Sequence, residues 1–246
     1  MFNRTIINDL KHWKEQKDRK PLMMLGARQV GKTSVLKRFG RECFEHCVYF
    51  SLDEEAGVCD IFRTTKNPTQ IIEQLSYLTD EPILPEKTLL VLDEIQDCPE
   101  AISSMKYFCE KTPEYAIACA GSLLGLAFGH EGFSFPVGKV DHINMYPVTF
   151  SEFLEQKDSG LYRYYKSIDS IEPLPQVFFD RLSQAFTAYR ISGGMPEAAM
   201  KMIEVDMKGV ETKLQNILQD YTLDFVKHAT PQLANRISHL WNSLPS

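Results

Sequence analysis

The sequence lacks any uninterrupted apolar run near the roughly 18 residues that a membrane span needs. Its opening segment, MFNRTIINDLKHWKEQ, lacks the apolar core of a secretory leader. None of the six cysteines forms a CxxC pair, and no second ligand pair accompanies Cys43 and Cys47 to complete a zinc site. There is no HExxH and no GxSxG, so zinc-protease and serine-hydrolase chemistry have no anchor. Glycine and proline, at 13 each, are too few for a low-complexity or collagen-like chain. An excess of positive charge is also missing. Lys and Arg number 27 against 33 Asp and Glu, a net charge of -6, which argues against nonspecific nucleic-acid binding over the whole surface. Cysteines in a chain of this size without a leader read as reduced, mostly buried thiols of a cytoplasmic protein.

What remains is an ordinary globular composition, 43% hydrophobic and 24% charged over 246 residues. That length suits one or two domains and buries about 70–75% of the unfolded surface. Asn3 to Gln16 carries Ile6, Ile7, Leu10 and Trp13 at helical spacing. The basic residues around it, Arg4, Lys11, Lys14, Lys17, Arg19 and Lys20, read as a solvated face. Pro21–Leu25 is a short apolar run that reads as a buried strand, and a helix follows from Gly31 to about Arg41. Cys47–Leu52 reads as a second strand. Asn67-Pro68-Thr69 introduces a helix through Ile71, Ile72, Leu75 and Leu78. Thr88–Leu92 is apolar without alternation, as in a parallel strand covered on both faces. A helix over Ala101–Glu110 and a strand over Tyr115–Ala120 complete the series. Strand and helix alternate throughout, which predicts an α/β protein with a mainly parallel sheet. After about Phe150 the pattern turns helical, so the expected division is a core over 1–150 and a helical subdomain over 151–246.

The most informative segment is Gly26-Ala27-Arg28-Gln29-Val30-Gly31-Lys32-Thr33, which matches GxxxxGK[ST] at every fixed position and sits between a strand and a helix. Glycines let backbone wrap closely around phosphate oxygens, and successive N–H groups at a helix start favour the anion. Residues Gly26 to Ser34 are the expected nucleotide-binding set. Lys32 would reach the β- and γ-phosphates, and the Thr33 hydroxyl would ligate Mg²⁺.

The apolar run ending in Asp93-Glu94 delivers two carboxylates to the C-terminal edge of a strand, where ligands sit in open α/β sheets. Asp93 is assigned to the Mg²⁺ shell through water. Glu94 is assigned as the base that orients the attacking water. Ser122, at the tip of the next strand, is the candidate for sensing the γ-phosphate or that water. Gln96 and Asp97 lie just beyond the acids, with their role open.

GARQVGKTSVLKRF, TLLVLDEIQDCPEAISSMKYFCE, AGSLLG, FPVGKVDHINMYPVTFSEFLE and ISGGMPEAA together resemble a prokaryotic family of AAA-type P-loop ATPases of the additional-strand, catalytic-glutamate division. The resemblance implies a three-layer α/β/α P-loop NTPase core, a helical lid, and ATP with Mg²⁺ as cofactors. It also implies a tendency to self-assemble. In this family a winged-helix and nuclease-like region usually follows, through which a DNA or protein partner would be reached. On that comparison the chain looks truncated after the lid. Gly193-Gly194-Met195-Pro196 resembles the family's Gly-Gly-x-Pro element, with proline opening a helix. Many relatives carry arginine where this chain has Lys139. A lysine cannot form the bidentate fork of an arginine finger, so a structural lysine is an equal reading there. Adenine preference rests on the resemblance. Besides an ATPase, an ATP-loaded switch with little turnover and a small-molecule kinase remain open; Asp-Glu at the strand end favours water as the acceptor.

Overall fold

The computed structural model describes residues 2–122, 135–229 and 231–244. Leu123 to Gly125 of the AGSLLG segment lie outside the described residues. The chain divides into two compact units, one spanning Arg4–Tyr146 and the other Met1–Asn3 with Pro147–Ser246.

The first unit is built on a five-stranded parallel sheet in the order β2-β3-β4-β1-β5. In chain order its elements are α1 (Ile6–Glu15), β1 (Leu22–Leu25), α2 (Lys32–Cys43), β2 (His46–Ser51), α3 (Ala56–Thr64), α4 (Pro68–Ser76), β3 (Thr88–Asp93), a 3-10 turn (Ile95–Asp97), α5 (Pro99–Lys111), β4 (Ala116–Gly121) and β5 (Asp141–Asn144). Helices cover both faces of the sheet. Leu90 and Leu92 of β3, with Val48 and Phe50 of β2, pack into one core with Phe62, Ile71, Leu75, Ile102, Met105 and Phe108 of α3, α4 and α5. The alternate residue Leu89 turns the other way, toward Gly40 of α2. α1 packs on α2, with the Trp13 and Phe39 rings 6.3 Å apart. Two-sided cover explains why β3 and β4 are buried at every position. This is the mainly parallel α/β sheet expected from the alternating pattern, in the P-loop NTPase form that the family resemblance implies.

Three local readings need correction. β5, Asp-His-Ile-Asn, was not expected, and its burial alternates between half-buried and exposed as an edge strand's does. α3 was likewise not expected. Its N-cap Glu55 makes no side-chain cap bond, so the usual start signal is missing. The basic residues near the start are not all solvated. Arg19 is buried, with its guanidinium on the Lys14 and Glu114 carbonyls and on Glu86, and Arg4 is buried against two carbonyls described below.

The second unit is helical: α6 (Phe150–Lys157), α7 (Ser159–Lys166), α8 (Gln176–Ser192), α9 (Pro196–Ile203), α10 (Met207–His228) and α11 (Pro231–Ser243). α6 opens with a capping box. Thr149 Oγ1 accepts from the Glu152 N–H at 3.2 Å, and Glu152 Oε2 accepts from the Thr149 N–H at 3.0 Å. The Phe150 ring lies 5.2–5.8 Å from those of Tyr165, Phe186 and Tyr189. Pro196 starts α9 as the sequence suggests, and the Val148 N–H donates to the Gly194 carbonyl at 2.7 Å. Among the described residues, no helix is long and apolar enough to cross a membrane.

Candidate functional site

The loop from Gly26 to Thr33 joins the C-terminal end of β1 to the first turn of α2. Two glycines are needed for its shape. A Cβ on Gly26 would come within 2.3 Å of the Met145 carbonyl oxygen, just beyond β5. Gly31 caps α2 at φ 94°, ψ 27°, a conformation costly for any residue with a side chain. Gln29 also has positive φ, at 62°. No side chain caps α2, so the first N–H groups of the helix remain free to meet an anion.

Lys32 is 7% exposed, and its Nζ donates to the Gly26 and Ala27 carbonyls at 2.9 Å each. Burial lowers its pKa, opposed by the Glu94 and Asp93 carboxylates and reinforced by Arg28. Two carboxylates thus act on one buried ammonium and favour its charged form against the cost of burial.

The loop and the acidic strand end meet directly. Thr33 Oγ1 donates to Asp93 Oδ2 at 2.5 Å. Asp93 is 4% exposed; its Oδ2 also accepts from the Tyr49 hydroxyl at 3.1 Å, and its Oδ1 from the Glu94 N–H at 3.0 Å. Burial pushes the Tyr49 phenol up to about 12, opposed by a hydrogen bond with Ser51 and reinforced by the Asp93 and Asp53 carboxylates. Glu94 sits in the left-handed region at φ 48°, ψ 45°. A non-glycine residue there costs about 1–2 kcal/mol, and such strain gathers at functional sites. Its Oε2 accepts from Gln96 Nε2 at 2.6 Å.

Sheet order sets the spacing. β4 lies between β1, which leads to Lys32 and Thr33, and β3, which ends in the acids. Two strand spacings are about 9.5 Å, and the tip of the intervening strand carries Ser122. The Ser122 Oγ is buried without a hydrogen-bond partner. Lys32, Thr33, Asp93 and Glu94 are thus brought together, with Ser122 at the end of the neighbouring strand. Ala27, Gln29 and Ser34 are exposed, and Val30 is buried. Lys139 stands apart from this group; its Nζ pairs with Glu110 of α5 at 2.9 Å.

Three contributors escaped sequence reasoning. Tyr49 is the fourth of six residues in β2, and only the fold shows its hydroxyl on Asp93. The Met145 carbonyl fixes Gly26 through a backbone contact. Arg4 donates from Nη1 to the Val30 carbonyl at 2.9 Å and from Nη2 to the Tyr146 carbonyl at 2.5 Å. No local motif announces any of these three.

Fold and loop together define a P-loop NTPase. Residues 18–154, more than half the chain, match the family described as AAA domain, and the chain belongs to that family. Membership and the phosphate loop together support an ATP-binding ATPase. No curated protein matches the chain. Solved structures similar to it include Thermotoga maritima RuvB, at 14% identity and TM-score 0.47 over 82% of this chain and 61% of that one. The ORC1 protein of Aeropyrum pernix, solved in complex with DNA, is 14% identical, with TM-score 0.41 over 94% of this chain and 69% of that one. AMPPCP-bound DnaA from Aquifex aeolicus is 14% identical, with TM-score 0.40 over 92% and 68%. Resemblance at that level transfers no activity.

Proposed function

We propose that the chain binds ATP with Mg²⁺ and hydrolyses it. The observation that carries this reading is the Thr33–Asp93 hydrogen bond, which ties the phosphate loop to the acidic strand end with Glu94 alongside. A hydroxyl and a carboxylate oxygen in contact are hard donors of the kind Mg²⁺ takes with phosphate oxygens. Thr33 and Asp93 would hold the ion, Asp93 through water. When bound, Mg²⁺ supplies neutralisation of charge on the β- and γ-phosphates.

The chain's own residues do the rest. Backbone N–H groups from Ala27 to Thr33 and the start of α2 cradle the phosphates. Lys32 exchanges its two carbonyl partners for β- and γ-phosphate oxygens. Ser122 turns its hydroxyl to the γ-phosphate. Glu94 accepts a proton from the attacking water, in reach of the carboxylate that the Gln96 amide steadies. Little covalent chemistry is asked of the protein, so positioning and charge dominate. The helical unit is read as the lid that reports nucleotide state to an effector region. Self-assembly, a DNA or protein partner and a prokaryotic cytoplasmic setting belong to the same reading and rest on the family resemblance.

The test is Mg²⁺-dependent ATP turnover by this chain beside Glu94→Gln. A rate that collapses in the variant while ATP still binds supports hydrolysis with Glu94 as base. Intact binding with no turnover in either protein overturns the hydrolytic reading and leaves a nucleotide switch. A phosphorylated small molecule in a mixed-acceptor assay replaces it with a kinase.

A further inference from the structure

Gln96 is 6% exposed, in the 3-10 turn that packs against β4. Its Nε2 donates to Glu94 Oε2 at 2.6 Å and, at 3.4 Å, to Asp97 Oδ2. Its Oε1 is buried without a hydrogen-bond partner. The orientation of the amide follows from charge: turning it over would press a carbonyl oxygen against the Glu94 carboxylate. A buried acceptor left unmatched costs about 1–3 kcal/mol, and nearly all such atoms meet protein or water. The Ser122 Oγ is also buried and unmatched. Two such atoms lie at the ends of neighbouring strands, one in the turn after β3 that follows Glu94 and one at the tip of β4.

We propose that Gln96 orients both partners of the proton transfer: its N–H holds the Glu94 carboxylate, and its Oε1 accepts a hydrogen bond from the attacking water. This rests on the hydrolytic reading above. In the step itself, the water oxygen forms a bond to the γ-phosphorus. One of its protons passes to Glu94, and its other hydrogen stays bonded to the oxygen and faces Gln96 Oε1. The bond from γ-phosphorus to the bridging oxygen breaks with its electron pair going to ADP, and Glu94 then returns its proton to the phosphate product. Glutamine suits the task because a single side chain offers a donor to the base and an acceptor to the nucleophile.

The experiment compares wild type, Gln96→Met and Gln96→Leu in kcat, KM for ATP, equilibrium ATP affinity and Tm. Both apolar side chains fill similar space and remove the unmatched oxygen. The expected result is a fall in kcat of about tenfold to a hundredfold, ATP affinity within about twofold, and a Tm equal to or above wild type. A kcat near wild type in both variants overturns the proposal and leaves the hydrolytic reading standing. Loss of kcat, affinity and Tm together also overturns it, since that marks a structural residue. A wild-type chain that binds ATP without turnover removes the hydrolytic reading, and this inference with it.

Discussion

The two units bury their side chains differently. In the α/β unit, β3 and β4 have no exposed position, and the 3-10 turn between them carries buried Ile95 and Gln96. In the helical unit, the 17-residue helix α8 has only Ala185 and Ser192 fully buried, while Val177, Phe179 and Ile191 are each more than half exposed. A parallel strand covered on both faces cannot shift without moving two helical layers, so close packing fixes the groups at its end. A helix held by one stripe has no such constraint. Every residue of the candidate site, from Gly26 to Ser122, lies in the first unit, where position is set by the sheet.

The comparison is broken most sharply by charge. Lys32→Ala is expected to weaken ATP binding by at least about a hundredfold, since a buried charge-assisted contact is lost. Lys213→Ala, which removes an exposed pair with Glu197 in the helical unit, should leave ATP binding unchanged in the same titration. Equal losses would mean that the site is not confined to the first unit.

Packing comes next. Phe108→Ala in the α/β core and Phe153→Ala in the helical core each remove a fully buried ring. Each should cost about 3–5 kcal/mol in denaturant unfolding. Phe179→Ser, at a position 53% exposed, should stay within about 0.5 kcal/mol. A large loss there would show that α8 is held more tightly than its burial indicates.

Caps give smaller effects. Thr149→Ala opens the capping box of α6 and should cost about 1 kcal/mol. Asp158 caps α7, and its carboxyl is held below the usual range by the Leu161 N–H, with help from Arg181. The folded state therefore favours the charged form. Its contribution is complete above the unfolded pKa of about 3.9 and is lost as pH falls through the lower folded value. Thr149→Ala should keep the wild-type acid limb of stability, whereas Asp158→Asn should flatten it.

The smallest effect is chemical and falls within one unit. All six cysteines are free and lie between Cys43 and Cys119. Burial raises the thiol pKa of Cys59, Cys98 and Cys119. Mild alkylation of the native protein should modify the partly exposed Cys43 and Cys109 first, read by peptide mass spectrometry.

Legibility followed burial and locality. Thr88–Asp93 and Gly26–Thr33 could be read because a strand covered on both faces leaves a continuous apolar run, and a phosphate loop needs its fixed residues at adjacent positions. β5 was not readable, because an edge strand of Asp-His-Ile-Asn has neither an apolar run nor a breaker. α3 lacked its cap. Tyr49, Met145 and Arg4 act on the loop and its acids across long sequence separations, two of them through carbonyls, so residue type carries no signal. Gln96 stood beside the acids in the sequence, yet only its buried amide geometry gives it a task.

The backbone crosses between the two units twice, at residues 3–4 and 146–147. Arg4 and Tyr146 are the α/β residues at those crossings, and one guanidinium joins them while also gripping Val30 of the phosphate loop. Mechanically, both tethers leave the α/β unit through a single anchor. That anchor is also bonded to the backbone of the loop that would hold the phosphates.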